Sequence, residues 1–173
     1  MNTRTLLTRA LVGAGLVLTS APTIAGAQSA ARPVVVAYGA LADFSTGTVE
    51  ATDHAHGYLV AVASGGSTMF TFVVTGVNAE PGRTFGAHVH VGPCVQDAPS
   101  TAGPHFRSDG VTPDPTHEVW LDFTVTPGGV GVARTTVPFV IRDGAASSVV
   151  IHQSATGPGG AAGARIACLP VGF

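Results

Sequence analysis

Two histidines separated by a single residue, His88-Val89-His90, are the first sign of chemistry in this chain. In an extended strand, residues i and i+2 point to the same face, so both imidazoles can reach one metal ion. His105 follows within Ala102-Gly103-Pro104-His105-Phe106, and His152 ends the apolar run Ser148-Val149-Val150-Ile151, at a strand terminus. Each of these residues alone reads as an ordinary surface or core histidine. Four imidazoles gathered together suit Cu(II), which favours tetragonal nitrogen coordination, although imidazole sites also bind zinc. A further pair in Asp53-His54-Ala55-His56 repeats the spacing. It reads as a solvated turn or strand edge, with a weak accessory metal site as the alternative.

These side chains need a scaffold, and the rest of the chain supplies one made of strands. Val34 to Tyr38, Gly57 to Ala63, Thr68 to Val77, Thr84 to Val91, Glu118 to Thr126, Gly131 to Phe139, Ser147 to His152 and Arg165 to Val171 are predicted strands. Turn signals separate them, among them Ser64-Gly65-Gly66-Ser67 and Pro127-Gly128-Gly129. Within the third run Phe70, Phe72 and Val74 share one face and Met69, Thr71, Val73 and Thr75 the other, so the first set is the predicted core side. Trp120 reads as core filling. Gly92 to Thr116, punctuated by Gly and Pro, is predicted to be a long functional loop. About eight antiparallel strands with such turns describe an all-β fold, a Greek-key sandwich or flattened barrel.

Composition narrows the function classes. The chain has 173 residues, no lysine, eight arginines and ten acidic residues. Such a chain is a poor binder of phosphate backbones, so nucleic acid is not an expected partner. Met1 to Ala27 is predicted to be a secretory signal, with Arg4 and Arg9 ahead of the apolar Ala10–Leu18 and a small-residue cleavage site at Ala25-Gly26-Ala27. Its apolar part is too short for a bilayer span, and no membrane partner is expected. The remainder, 28–173, is long enough for one domain with one core. Export to the cell envelope, periplasm or exterior would place Cys94 and Cys168 in an oxidising compartment, where an even count suggests a disulfide. Two thiolate ligands are the competing reading, weakened because neither has a neighbouring Cys at metal-site spacing. No hydrolase triad, phosphate loop or dinucleotide fingerprint is visible.

Four blocks, in order, resemble the copper/zinc superoxide dismutase family: Phe85-Gly86-Ala87-His88-Val89-His90, Ala102-Gly103-Pro104-His105-Phe106, Val149-Val150-Ile151-His152 and Gly163-Ala164-Arg165-Ile166-Ala167-Cys168. The resemblance implies that His88, His90, His105 and His152 hold copper, that Cys94 and Cys168 form the family disulfide, and that Arg165 is the active-site arginine. It implies superoxide as substrate, oxygen and hydrogen peroxide as products, and a possible homodimer. A guanidinium beside an open metal position attracts and orients a small anion and keeps its charge at any working pH.

The family pattern breaks in two places. Its zinc site uses the bridging histidine, here His105, two further histidines and an aspartate. His117 would be a possible zinc ligand, yet Phe106 to Thr116 contains no histidine, and Trp120 stands where the aspartate belongs. Asp109, Asp114, Glu118 and Asp122 are nearby but not at matching spacing, so a regular zinc site is not expected. Second, Gln153 to Ala164 carries no charge, where the family has a longer guiding loop. Both departures are similar to copper-only members. The expected function is therefore a secreted copper-dependent superoxide dismutase. A copper-binding protein for storage or delivery, without useful turnover, is the alternative. Imidazole ligands of ordinary pKa would lose metal below about pH 6.

Overall fold

A computed structural model describes residues 32–45, 47 and 50–173. The export signal at 1–27 lies outside the described residues. Ten strands follow in order: β1 (Val34–Ala40), β2 (Ala42–Asp43), β3 (His56–Ser64), β4 (Ser67–Thr75), β5 (Thr84–Phe85), β6 (Ala87–His90), β7 (Phe123–Thr124), β8 (Gly131–Val137), β9 (Ser148–His152) and β10 (Arg165–Pro170). One sheet runs β1-β3-β4-β8 and the other β2-β10-β9-β6, with β5 and β7 forming a small third pair. The strand pairings are antiparallel. No α-helix occurs among the described residues. This is the all-β sandwich that the alternating pattern implied.

All eight predicted strand regions hold strand, but one is divided and a short strand appears outside them. The short strand is β2, which follows β1 after Leu41 and joins the other sheet; the predicted first strand ends at Tyr38. Gly86 divides β5 from β6, because a Cβ there would lie 2.7 Å from Ala162 Cβ and 2.8 Å from the Ser154 carbonyl oxygen. The run Glu118 to Thr126 is strand only at Phe123–Thr124. Its first half pairs just once, Trp120 with His88, because the side chains of Glu118 and Trp120 are engaged at the site described below. The β3–β4 hairpin turns on Gly65 and Gly66, both at positive φ, as a two-residue turn matched to strand twist requires.

Phe70, Phe72 and Val74 are fully buried and Met69 is about half exposed, so β4 follows the predicted alternation. Their inner face meets Leu59, Phe85, Leu121, Phe123, Val149, Ile151 and Leu169 from the other layers. Phe123 stacks on Phe85 at 5.6 Å and meets Phe72 edge-on at 6.2 Å. Each such side chain contributes roughly 1.5–3 kcal/mol by leaving water. The long loop after β6 is fastened to the second sheet at two points. Cys94 is bonded to Cys168 of β10 across 74 positions, which settles the open reading of the cysteines in favour of a disulfide. Midway along the loop, His105 pairs with His90.

Replacing Cys94 and Cys168 together by serine should lower the unfolding free energy by about 2–4 kcal/mol. Urea titration of both proteins would measure it. A loss below about 0.5 kcal/mol, the scale of an indifferent surface change, would mean that hydrogen bonds alone hold the loop.

Candidate metal centre

His88 and His90 sit on β6 with β9 on one side, where His88 is in register with Val150 and His90 with Ser148. The bridges to Trp120 and His105 cover the strand's other edge. His152 ends β9 and is paired with Arg165, the first residue of β10. Sheet register therefore brings to one point the three chain segments that carry four histidines. His88, His90, His105 and His152 each offer a nitrogen within 4.8 Å of the others, the one such group of three or more His, Cys, Asp or Glu among the described residues. His88 and His90 are completely buried, His152 is 4% exposed, and the His105 side chain is 13% exposed.

The outer nitrogens define what the inner ones can do. His90 Nδ1 donates to the Gly103 carbonyl at 3.0 Å, and His152 Nδ1 donates to that of Gly163 at 3.2 Å. His105 Nδ1 donates to Glu118 Oε2 at 2.9 Å. A carbonyl or carboxylate oxygen can only accept, so in the neutral rings the three Nε2 atoms carry lone pairs. His90 Nε2 and His152 Nε2 lie 3.4 Å apart, two acceptors facing one another. His88 bonds through Nε2 to Thr156 Oγ1 at 2.7 Å, while its buried Nδ1 has no partner. An orphaned buried nitrogen among three inward lone pairs fits a cation, and an all-imidazole donor set fits copper or zinc.

Burial, reinforced by the neighbouring rings, makes protonation of this cluster unfavourable. The His88 pKa is pushed down to about 2 by burial and by the charges of His105, His152 and His90. That of His90 falls to about 3, through burial offset by its bond to Gly103 and reinforced by His105, Arg165 and His152. That of His152 falls to about 4, again chiefly through burial. Protonation of these three rings is therefore displaced to lower pH than in an ordinary imidazole.

Glu118 is the residue at this cluster that sequence reasoning undervalued. Its carboxylate is fully buried and accepts from Arg107 Nε at 2.8 Å, Trp120 Nε1 at 2.8 Å and His105 Nδ1 at 2.9 Å. Burial alone would raise its pKa, but these hydrogen bonds outweigh burial and hold it below the usual carboxylate range. Gly160, at positive φ, lies over the pair; a Cβ there would come within 2.9 Å of Glu118 Oε2 and 3.3 Å of His105 Nδ1. Trp120 is thus a donor to Glu118 rather than core filling. The available signal was the alternation of Glu118 and Trp120 on one side of an extended segment, not a metal-ligand spacing.

Arg165 is half-buried, with Nη1 donating to the Pro99 carbonyl at 2.7 Å and Nη2 to that of Gly103 at 2.6 Å. It lines an open cleft of about 560 Å³ with Ser45, Pro99, Ser100, Gly163 and Ala164, and no acidic side chain is among these lining residues. His117 stands apart from the four-histidine group. Its Nδ1 is 2.8 Å from Asp114, and its Nε2 is 3.8 Å from Asp109. His54 lines a separate cleft of about 410 Å³ with Asp43 and Asp53, whereas His56 is exposed at the start of β3. No family model matches the chain, and no curated protein matches it.

The depressed histidines have a consequence for the metal-free protein. The unfolded chain, with imidazoles near pKa 6.5, binds more protons than the folded one between roughly pH 6.5 and 4, so stability falls as pH drops through that window. Each ring that stays neutral in the fold contributes up to about 1.4 kcal/mol per pH unit there. Urea midpoints of metal-free protein should be clearly lower at pH 5 than at pH 7. Equal midpoints would contradict buried neutral rings.

Proposed function

We propose that this chain is a copper-dependent superoxide dismutase, exported by its N-terminal signal and working without a regular zinc site. The observation that carries the reading is the division of labour at the four imidazoles. Every ring has one nitrogen bonded to an outer partner and another free towards the centre of the group. The four sequence blocks that resemble the dismutase family contain these rings and Arg165. Copper bound there would accept an electron from one superoxide, leaving oxygen, and return it to a second, which leaves with two protons as hydrogen peroxide.

The chain's own residues supply the rest. Arg165 offers a fixed cation at the cleft, and its two bonds to carbonyls hold the guanidinium plane without a carboxylate to neutralise it. Burial of the rings excludes water from the ligand atoms and keeps the imidazoles neutral, the form that binds metal. Glu118 fixes the orientation of His105 by accepting from its Nδ1, which leaves Nε2 as the atom that ring can offer. The same bond supports a centre without zinc. In the family the bridging histidine gives its second nitrogen to zinc, and here that nitrogen is committed to a carboxylate.

The storage or delivery reading draws on the open, uncharged approach. Neither Gln153 to Ala164 nor the lining of the cleft adds a guiding charge beyond Arg165. Copper loading and superoxide turnover measured on one sample separate the two. The dismutase reading expects one copper per chain, little zinc and rapid turnover, with copper lost in His88→Ala. Copper bound without turnover would favour storage, and failure to bind copper would sink both readings.

Removing the outer partner of His105 gives a finer test. Glu118→Gln should reduce copper affinity or turnover by about 10- to 100-fold, the usual cost of losing a partner behind a metal ligand. Competition titration with a copper chelator and pulse-radiolysis turnover would measure the two quantities. Wild-type values for both would show that Glu118 only fills space.

A further inference from the structure

Thr156 lies in the uncharged turn between β9 and β10, and nothing in its sequence surroundings marks it. In the fold it is held at two points by one carboxylate. Its backbone N–H donates to Asp122 Oδ2 at 2.7 Å, and its hydroxyl donates to Asp122 Oδ1 at 2.6 Å. Asp122 Oδ1 also accepts from the backbone N–H of Ala87, the residue before His88, at 3.3 Å. The carboxylate therefore spans the turn and the strand that carries the first metal-type ligand.

Hydrogen-bond arithmetic follows from these contacts. A threonine hydroxyl has one proton to give, and a carboxylate can only accept. With that proton directed to Asp122, Thr156 Oγ1 presents a lone pair to His88 Nε2 at 2.7 Å. Two lone pairs would repel at this distance, so Nε2 must carry the proton. A neutral imidazole has only one N–H, which leaves a lone pair on Nδ1, the buried atom without a partner. The other three rings are fixed in the opposite sense, with the proton on Nδ1 and the lone pair on Nε2.

We infer that Thr156, oriented by Asp122, is a positioning residue that locks His88 as the Nε2–H tautomer, so that Nδ1 is the atom it offers to a metal. The inference rests on the metal-centre reading and deepens it by naming the two residues that select the tautomer of His88. Asp122 acts on the ring through the threonine hydroxyl, and the polarity of that hydroxyl carries the information. Serine keeps the hydroxyl and should substitute. Valine keeps the shape and loses the acceptor. Asparagine at position 122 has an amide that can donate to the Thr156 oxygen, which frees the hydroxyl proton to point at Nε2 and favours the other tautomer.

The experiment reads tautomers in metal-free, ¹⁵N-labelled protein at neutral pH, by two-bond ¹H–¹⁵N correlation of the histidine rings. The expected results are Nε2–H for His88 in the wild type and in Thr156→Ser, and loss or mixing of that tautomer in Thr156→Val. In Asp122→Asn the balance should shift towards Nδ1–H although Thr156 is still present. A His88 ring that remains purely Nε2–H in both Thr156→Val and Asp122→Asn overturns the proposal, as does a wild-type ring carrying its proton on Nδ1. On the same proteins, Cu(II) titration should show affinity about 10- to 100-fold weaker in Thr156→Val and near wild type in Thr156→Ser. Equal affinity in valine and wild type would also count against it. If the tautomers respond as expected but no variant, wild type included, binds Cu(II), the metal reading fails while the positioning role stands.

Discussion

Four neutral imidazoles confined in one buried site cannot all face each other with lone pairs unless something holds each ring from behind. That constraint organises the molecule around the centre. The outer nitrogens are held by the carbonyls of Gly103 and Gly163, the carboxylate of Glu118 and the hydroxyl of Thr156. These four partners come from three stretches that are not regular strand: the loop after β6, the segment before β7 and the turn between β9 and β10. Strands position the rings, and irregular backbone chooses which nitrogen each ring presents. The energetic risk is plain, since a buried polar group left unpaired costs about 1–3 kcal/mol. His88 Nδ1 is such an atom, and the facing Nε2 lone pairs of His90 and His152 do not satisfy each other.

The sequence made the strands legible because their faces differ. Phe70, Phe72 and Val74 alternate with more exposed neighbours, and a one-residue slip would invert every one of them. His88 and His90 were legible for the same reason, since period two puts both on one side. The long loop was legible from its Gly and Pro content, and its tether to β10 from the cysteine count. What stayed hidden depended on two segments meeting in space. Glu118 was weighed as a metal ligand by its distance from His117 along the chain, whereas its role comes from approaching His105 across 13 positions through the fold. Thr156 and Asp122 are 34 positions apart and carry no pattern at all. The division at Gly86 was equally invisible, because the obstacle is a neighbouring turn, Ser154 to Ala162, rather than a local propensity.

The outer face of the β1-β3-β4-β8 sheet behaves differently from the rest of the surface. Val34, Val36, Tyr38, Tyr58, Met69 and Val132 are all substantially exposed there. The register places Tyr38, Tyr58, Val73 and Val132 in one row across the four strands. Antiparallel sheets with one wet face normally alternate apolar and polar residues, and β1 does not. Thr71 and Arg134, adjacent in the next row, supply the polar break. This face lies on the sheet that carries none of the four histidines, so its composition is free of the demands of the metal-type site.

One atom links the two halves of the chemistry. The Gly103 carbonyl accepts from His90 Nδ1 and from Arg165 Nη2. The oxygen that fixes a ligand ring therefore also fixes the cation at the cleft. Gly103 holds positive φ, and a Cβ there would come within 2.8 Å of Val91 Cγ2, so a side chain at this position would strain both the backbone and its contact with the end of β6. The same loop carries Cys94, whose disulfide partner Cys168 is three residues beyond Arg165 on β10. Strand, loop and disulfide thus form a closed circuit from His90 through Gly103 to Arg165 and back through β10. A shift of the loop would move the Arg165 guanidinium and the His90 ring together. Through β10, which carries both the arginine and the second cysteine, the disulfide restrains the same loop that these hydrogen bonds hold.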